Sequence, residues 1–438
     1  MTANRFFNAS APGRLDVMGG IADYSGSLVL QMPIPESTTV NLTLRNDFVC
    51  TLVSTTESGE CFTAKIDYRD LLNNGKVDYA LAQIKFKSLS DERWAAYVLG
   101  CALVLQKEKE IDFRGGDFVI ESNVPLGKGV SSSASLEVAS MKVLAQAFDI
   151  SFRRTELPFF AQRVENLIVG APCGLMDQLC SYFGEPRKLL PILCQPDLVQ
   201  ESISIPADIS FIGIDSGIRH SVGDASYVDV RCATFMGYTM LAQAAGASRK
   251  DIDNTIEKKD FSALPFQGYL CNISVNDYEA RLKKLLPASI SGNEFLGLYG
   301  NSIDEVTTID EARSYNVLEC TAHPIYENER AHLFKQLLMS MAQVNQNVRV
   351  DTITKLGQLM YESHKSYSRC GLGSARTDEI VNLAQELGQG IVGAKITGGG
   401  SGGTVCILVS GFEGKESVYR LHQSLCAKYK VKLKLFES

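Results

Sequence analysis

Little in this sequence invites a metal cluster or a membrane. Among 438 residues there is a single tryptophan and only five histidines, and none of the 12 cysteines forms a CxxC pair. Only Cys173 and Cys180 lie within ten residues of each other, so zinc and dithiol spacings are absent and the cysteines read as reduced, mostly buried thiols. No run approaches the roughly 18 apolar residues of a membrane span, and the start, MTANRFFNAS, lacks the apolar stretch of a signal peptide. The expectation is a soluble, cytoplasmic protein with no membrane partner. Basic residues are also in deficit, 43 Lys and Arg against 50 Asp and Glu, with no Lys/Arg run. Nucleic-acid binding is therefore disfavoured. What is plentiful is apolar sequence, 45% of the chain, and glycine, 36 residues. That predicts about two domains with sizeable cores and excludes a disordered chain.

Helical and strand patterns alternate without low-complexity tracts or repeats, which predicts a mixed α and β architecture. Trp94, Tyr97, Val98, Cys101, Val104 and Leu105 follow helical spacing up to the charged residues 107–110, predicting an amphipathic helix. A short strand at 118–120, a turn around Pro125 and Gly127 and a second helix through Leu136, Val143 and Leu144 come next. A third helix is predicted over 157–169, stopped by Gly170 and Pro172. Residues 186–206 hold four prolines and little periodicity, which places a domain boundary near 205, dividing the chain into 1–205 and 206–438. The second half predicts helices near 227–245, 324–344, 352–364, 378–387 and 416–429, with strands at 209–214, 404–408 and 431–436. Residues 247–320 show weak pattern and read as a surface elaboration.

Three glycine-rich stretches stand out. In the second, VPLGKGVSSSA, Pro125, Gly127, Lys128 and Gly129 precede a helix, so free N–H groups and the positive end of the helix dipole face whatever occupies the loop. Ser131, Ser132 and Ser133 add hydroxyls suited to a helix cap, a phosphate donor or a magnesium ligand. A capped helix after a turn would carry the same pattern, and it is not a Walker loop. The third stretch, GAKITGGGSGGT, concentrates glycine from 398 to 403, including Gly399 and Gly400, which predicts close backbone approach to a ligand rather than a mere connector. The first, APGRLDVMGGIADYSG, sets Arg14 and Asp23 in apolar surroundings where each needs a partner.

Together these stretches resemble the three motifs of the GHMP kinases, in the same order. Within that superfamily they resemble the galactokinase branch, whose first two motifs read PGRxNxxGEHTDYxGG and PLGxGLSSSASLEVA. The segments QRVEN, CGLMDQ, Arg219-His-Ser221 with Tyr227, and WAAY are similar too. Several, among them APGRLDVMGGIADYSG and GAKITGGGSGGTVC, are similar to the L-arabinokinase kinase domain. The resemblance implies an α+β fold of two domains, the first like the second domain of ribosomal protein S5 and the second ferredoxin-like. It further implies ATP as co-substrate, Mg2+ and a small-molecule sugar as partners. The oligomeric state is left open.

By resemblance, Asp177 is the catalytic carboxylate and Arg14 its partner. Glu165 and a serine of the loop, Ser133 or Ser132, are the magnesium ligands, although a solvated helix-face carboxylate would read alike. Asp23, Gly174 and Tyr227 match sugar-binding positions, and Trp94 with Tyr97 would flank the adenine unless they form a core stripe. Lys128 either helps neutralise ATP or faces solvent. His220, His323 and His364 read as structural. Where galactokinases carry Glu-His, here stand Gly20 and Ile21, leaving an apolar or filled pocket that would bury an exocyclic hydroxyl at about 1 to 3 kcal/mol. A pentose such as L-arabinose avoids that cost, which favours an L-arabinose 1-kinase over a galactokinase. A non-catalytic sugar- and ATP-binding regulator is disfavoured because Ser133-Ala134 is present.

Overall fold

The structure, a computed structural model, describes residues 6–218, 225–258, 260–341, 343 and 345–437. The chain forms two compact units. One comprises residues up to Arg14 together with Pro33–Pro186, the other Leu15–Met32 and Arg187–Ser438. These units differ from a contiguous division at 205/206, because residues 15–32 and 187–205 group with the C-terminal half. The proline-rich stretch is not a linker but carries the strands Lys188–Leu193, Leu198–Val199 and Ile203–Ser204. It lacks alternation because two of these strands have two residues each and the interior of the third is buried on both faces.

In the first unit the strand Leu28–Arg45 pairs antiparallel, through Thr38 to Arg45, with Gly115–Ser122. That strand runs parallel to Val49–Thr56, which pairs antiparallel with Cys61–Asp67. Val40 and Leu42 point into the core and Asn41 and Thr43 away from it, the period-2 pattern of a sheet with one buried face. Helices Ala96–Lys109, Ser132–Ala147 and Glu156–Arg163 supply the apposing layer. The helix expected to be amphipathic is enclosed instead, with every residue from Val98 to Leu105 buried, because it packs against both Ser132–Ala147 and the turn that follows Arg163. Trp94 belongs to a separate 3-10 turn, Arg93–Ala95. The helix predicted over 157–169 changes character at Val164, where Val164–Val169 is a π-helical turn closed by Gly170 at a φ of 80°.

In the second unit four antiparallel strands lie in the order Ile391–Ile396, Thr404–Ser410, Ile209–Asp215 and Leu435–Glu437. With the helices between them this is the ferredoxin-like arrangement. Ile380, Val381 and Ala384 of helix Ala375–Leu387, and Val418, Leu421 and Leu425 of helix Gly411–Tyr429, pack on Ile212, Ile214, Val405, Ile407 and Val409. Among the described residues no helix is long and apolar enough to cross a membrane. Cys61 is exposed and Cys426 half-buried, and the remaining cysteines are buried free thiols.

Residues 247–320 are not a surface elaboration. Ile252, Leu264, Leu270, Tyr278 and Phe295 are buried in one cluster with Met236, Tyr238 and Leu241 of helix Ala225–Ala244. Their pattern was weak because short 3-10 and π turns, such as Phe261–Ala263, Leu270–Asn272 and Tyr278–Leu282, present apolar residues singly rather than with a helical period. Asp304 of this region meets Arg231 in a two-point pair, Nε to Oδ2 and Nη2 to Oδ1 at 2.9 Å each, with both side chains buried. Breaking a buried pair by removing one partner leaves an uncompensated charge. Asp304→Ala is therefore expected to lower stability by about 3 to 5 kcal/mol in urea unfolding. A loss below about 1 kcal/mol, the range of exposed pairs, would return this region to the status of decoration.

Candidate functional site

In the first unit Arg14 ends the segment that enters from the amino terminus, and its guanidinium is buried. Nε donates to Asp177 Oδ1 at 2.9 Å and Nη2 to Asp177 Oδ2 at 2.8 Å, while Nη1 donates to the Gly129 carbonyl at 2.7 Å. The backbone N–H of Arg14 donates to the Val130 carbonyl at 3.0 Å. The glycine loop is thus tied to Arg14 at two successive carbonyls. Gly127, Gly129 and Ser131 have φ of 68°, 70° and 60°, so the chain makes repeated left-handed turns before the helix Ser132–Ala147 begins.

Ser131 occupies the cap position of that helix without capping it. Its hydroxyl donates to Asp177 Oδ2 at 2.6 Å instead of to the helix start, and it makes no cap hydrogen bond to the first N–H groups. A serine that would ordinarily satisfy the helix start is used to orient a carboxylate, which leaves the helix start free to receive an anion. Nη2 also lies 2.8 Å from Oδ1, so Arg14 spans both carboxylate oxygens and Ser131 adds a further donor to Oδ2. The Asp177 side chain is 20% exposed, against 3% for Arg14, so the carboxylate is the open member of the pair.

Asp177 lies in the first turn of helix Met176–Phe183, and the loop before it is clamped from the helix expected over 157–169. Gln162 and Asn166 donate to the Cys173 carbonyl at 3.3 and 3.4 Å, and the Cys173 N–H donates to Asn166 Oδ1 at 2.9 Å. This explains the QRVEN segment, whose amides fix the approach to half-buried Gly174 and to Asp177. Glu165 projects from the π turn and is buried. Burial and then the neighbouring Asp177 push its carboxyl up to about 7, opposed by hydrogen bonds from Ser133, Cys173 and Gln178. Gln178 Nε2 donates to Glu165 Oε2 at 3.0 Å and to Glu137 Oε2 at 3.1 Å, bridging two buried carboxyl groups. Burial raises Glu137 well above the carboxylate range, and Glu165 adds to it.

Glu137 and Gln178 stood inside the quoted motifs, yet sequence reasoning assigned neither. The signal was there for Glu137, four residues after Ser133 and hence on the same helix face. Gln178 gave none, because its neighbour Asp177 points elsewhere. Hydroxyl and carboxylate oxygens at Ser133 and Glu165 form a hard donor set of the kind magnesium accepts, and among the described residues no cluster of three or more His, Cys, Asp or Glu suits a metal. Tyr97 is half-buried with its hydroxyl pushed upward by burial, then by Glu165 and Glu137, so it stands beside this carboxyl pair. Trp94 packs near Phe62, ring centroids 6.4 Å apart, and its indole N–H is buried without a partner. Pro125, Lys128, Ser132 and Ser133 are half-buried in the loop and the helix start.

The remaining candidates belong to the second unit. Asp23 is buried in the short turn Asp23–Ser25, and Tyr227 is buried in helix Ala225–Ala244, edge-on to Tyr24 at 6.4 Å. Ile21 is buried with φ of 52°, a left-handed conformation rare for a β-branched residue, and packs in the cluster that contains Tyr227 and Tyr367. Gly20 has no room for a side chain: a Cβ there would fall 1.9 Å from Tyr367 Oη and 2.1 Å from Asp16 Oδ2. Of the two possibilities, an apolar or a filled pocket behind position 20, the filled one is realised. At Gly400 a Cβ would meet Leu372 at 2.6 Å, and at Gly402 Ile218 at 2.8 Å. The chain's own packing alone already leaves no room for a side chain at those two glycines. Gly399 is half-buried in the same loop.

His323 is structural: Nε2 lies 3.0 Å from the Gly20 carbonyl and Nδ1 2.8 Å from Ser366 Oγ, and burial lowers it to about 4. Nε2 therefore carries the proton and Nδ1 accepts. His364 pairs with Asp378 at 3.1 Å. Arg219, His220 and Ser221 lie outside the described residues.

Residues 96–185 match the GHMP kinases N terminal domain, 345–431 the GHMP kinases C terminal domain, and 2–43 the galactokinase galactose-binding signature. The chain is 43% identical to L-arabinokinase of Arabidopsis thaliana over 92% of its own length, but spans only 42% of that relative. A galactokinase of Chloroflexus aurantiacus is 29% identical, with 92% of this chain and 83% of the relative covered. Among solved structures, Lactococcus lactis galactokinase complexed with galactose superposes with a TM-score of 0.72 at 20% identity, covering 99% of this chain and 93% of that one. Methanococcus jannaschii mevalonate kinase does so at 0.52 and 14%, covering 100% and 98%. At these identities the structures speak for the fold alone.

The carboxyl pair makes Gln178 a structural keystone. Gln178→Leu keeps the volume but removes the donor that serves both Glu137 and Glu165, leaving buried acceptor oxygens unmatched. Stability measured by urea unfolding is expected to fall by about 1 to 3 kcal/mol. A change under about 0.5 kcal/mol, ordinary for a surface position, would mean that the bridge carries no energetic weight.

Proposed function

The chain belongs to the GHMP kinase superfamily, and from that premise we propose that it is an ATP-dependent sugar 1-kinase acting on the anomeric hydroxyl of L-arabinose. The observation that carries the reading is the Arg14–Asp177–Ser131 constellation, which fixes an ionisable carboxylate in one orientation while leaving it partly exposed to accept a hydroxyl proton. In the step proposed, the anomeric oxygen bonds to the γ-phosphorus as the bond from phosphorus to the β–γ bridging oxygen breaks, and the hydroxyl proton passes to the Asp177 carboxylate. Arg14 fixes the carboxylate in both position and angle, which is what orientation contributes to such a transfer.

The uncapped start of helix Ser132–Ala147 and the N–H groups of the loop at Pro125, Gly127, Lys128 and Gly129 would receive the phosphates. Trp94 and Tyr97 would border the adenine, Trp94 with an indole donor to offer. Glu165 and Ser133 would hold Mg2+, which when bound neutralises phosphate charge. Gly399 and Gly400 remain assigned to ATP, with Gly400 also held by Leu372.

On the sugar, Asp23 and Tyr227 would serve ring hydroxyls together with Gly174, and Gly20 and Ile21 set the choice of sugar. Neither offers a polar side chain, and the space behind Gly20 is taken, so a hydroxymethyl substituent directed there would lose its hydrogen bonds. A pentose carries no such group. Galactose is the competing sugar, favoured by the match of residues 2–43 to the galactose-binding signature.

Transfer of labelled phosphate across L-arabinose, galactose, galacturonic acid and glucuronic acid tests the reading. The expected kcat/KM ratio of L-arabinose over galactose is about 10 to 100, what one unpaired buried hydroxyl supports. A preference for galactose would make the protein a galactokinase. Asp177→Asn is expected to retain nucleotide binding while turnover drops by several powers of ten, and near-normal turnover would remove Asp177 from the chemistry. For Glu165→Gln the expected change is a higher Mg2+ requirement, and an unaltered Mg2+ titration would take Glu165 out of the metal site.

A further inference from the structure

Behind Gly20 lies a wholly buried ion pair that the proposed chemistry does not use. Lys395 Nζ donates to Asp16 Oδ2 at 3.0 Å, and neither side chain is exposed at all. Gln31 Nε2 donates to Asp16 Oδ1 at 2.8 Å, and the Asp16 N–H donates to Thr397 Oγ1 at 2.6 Å. The Tyr367 hydroxyl completes the group, 3.0 Å from the Gly398 carbonyl and 3.3 Å from Asp16 Oδ2. Lys395 sits 5.1 Å from the Tyr367 ring centroid, and His323 stands edge-on to that ring at 5.3 Å. A buried ion pair is expensive to desolvate and is weak evidence for stability, so its position asks for another reason.

That reason is steric and directional. Tyr367 Oη and Asp16 Oδ2 fill the volume a side chain at position 20 would enter. The same segment is held from its other sides: Glu327 Oε1 accepts from the Gly19 N–H at 3.0 Å, and His323 holds the Gly20 carbonyl. Glu327 is itself fixed by Ser363 at 2.7 Å and Arg330 at 2.8 Å. One tyrosine hydroxyl therefore touches the first motif at Asp16 and the third at Gly398, while bounding the turn that leads to Asp23.

We propose that Tyr367, seated by Asp16 and Lys395, is a positioning residue for the sugar: its hydroxyl holds residues 19–23 in register and makes glycine obligatory at position 20. The sugar role rests on the kinase reading above, whereas the steric role does not. An acidic side chain placed at position 20 would not restore a lost contact but would first have to expel Tyr367 and Asp16.

The test combines a thermal cycle with kinetics. Gly20→Ala should lower the melting temperature by about 5 °C, because the new methyl group displaces the hydroxyl. Tyr367→Phe should lower it as well. In the double variant the Phe substitution should cost nothing further, since the hydroxyl has already lost its place. Additive losses would overturn the steric claim. In kinetics, Tyr367→Phe is expected to raise KM for L-arabinose about tenfold with KM for ATP and kcat within about twofold. An unchanged sugar KM, or equal rises for sugar and ATP, would overturn the positioning role. If Tyr367→Phe does not fold, Gly20→Ala serves alone and should show the same selective rise. A wild-type protein that phosphorylates no sugar would sink the kinase reading, while the thermal cycle would still decide the steric one.

Discussion

The contact on which the first unit's site depends is the two-point pair of Arg14 with Asp177. A guanidinium buried to 3% exposure is tolerable only with a counter-charge and a full set of acceptors, and Arg14 finds them in Asp177 and the Gly129 carbonyl. This single requirement orders three separate stretches of chain: the strand end at Arg14, the glycine loop and the start of helix Met176–Phe183. It also explains why Ser131 sits in a left-handed conformation without capping its helix, since its hydroxyl is drawn to the same carboxylate. The carboxylate proposed to take the proton is also the charge that keeps Arg14 buried.

Much of this was legible in the sequence, for a physical reason. A loop that must expose its N–H groups needs glycine at left-handed positions, and a buried Arg needs an acid, so PGR and PLGKGVSSSA stand out by composition, whereas CGLMDQ took its meaning from the family resemblance. The ferredoxin-like order of the second unit was implied by the family resemblance, and the strand and helix pattern alone predicted only a mixed α and β architecture. What stayed hidden depended on contacts between residues far apart in the chain. The π turn that carries Glu165 has the same apolar spacing as an α-helix up to Arg163, and nothing local marks the extra residue. Residues 247–320 looked like decoration because turns of three to five residues cannot express a period, although their apolar side chains fill a core.

The glycines of the third stretch show the ambiguity of a residue defined by what it lacks. Clustered glycine signals close approach but not the identity of what approaches. At Gly400 and Gly402 the partners are Leu372 and Ile218, one about thirty and the other far more than a hundred residues away, so no reading of neighbouring sequence could name them. Only the structure divides glycines that serve a bound group from those that serve the fold.

Position 20 carries the same lesson further. Compared with the Glu-His of galactokinases, Gly20 and Ile21 lack the two polar side chains, which left an apolar and a filled pocket equally open. There is no hole, because Tyr367 Oη and Asp16 Oδ2 occupy the space, with Lys395 paired to Asp16 behind them. The motif also has Asp at position 16 where the galactokinase pattern has Asn, and an Asp buried there needs the cation that Lys395 provides. Ile21 belongs to the same set: its left-handed backbone is unfavourable for a β-branched side chain and persists because that side chain is buried among Tyr227, Tyr367 and Leu372. Residues 16, 20, 21, 367 and 395 are therefore one structural unit spread over three parts of the chain. A side chain added at position 20 meets a clash and removal of Asp16 or Lys395 leaves an unpaired buried charge, so these positions are coupled and cannot vary independently.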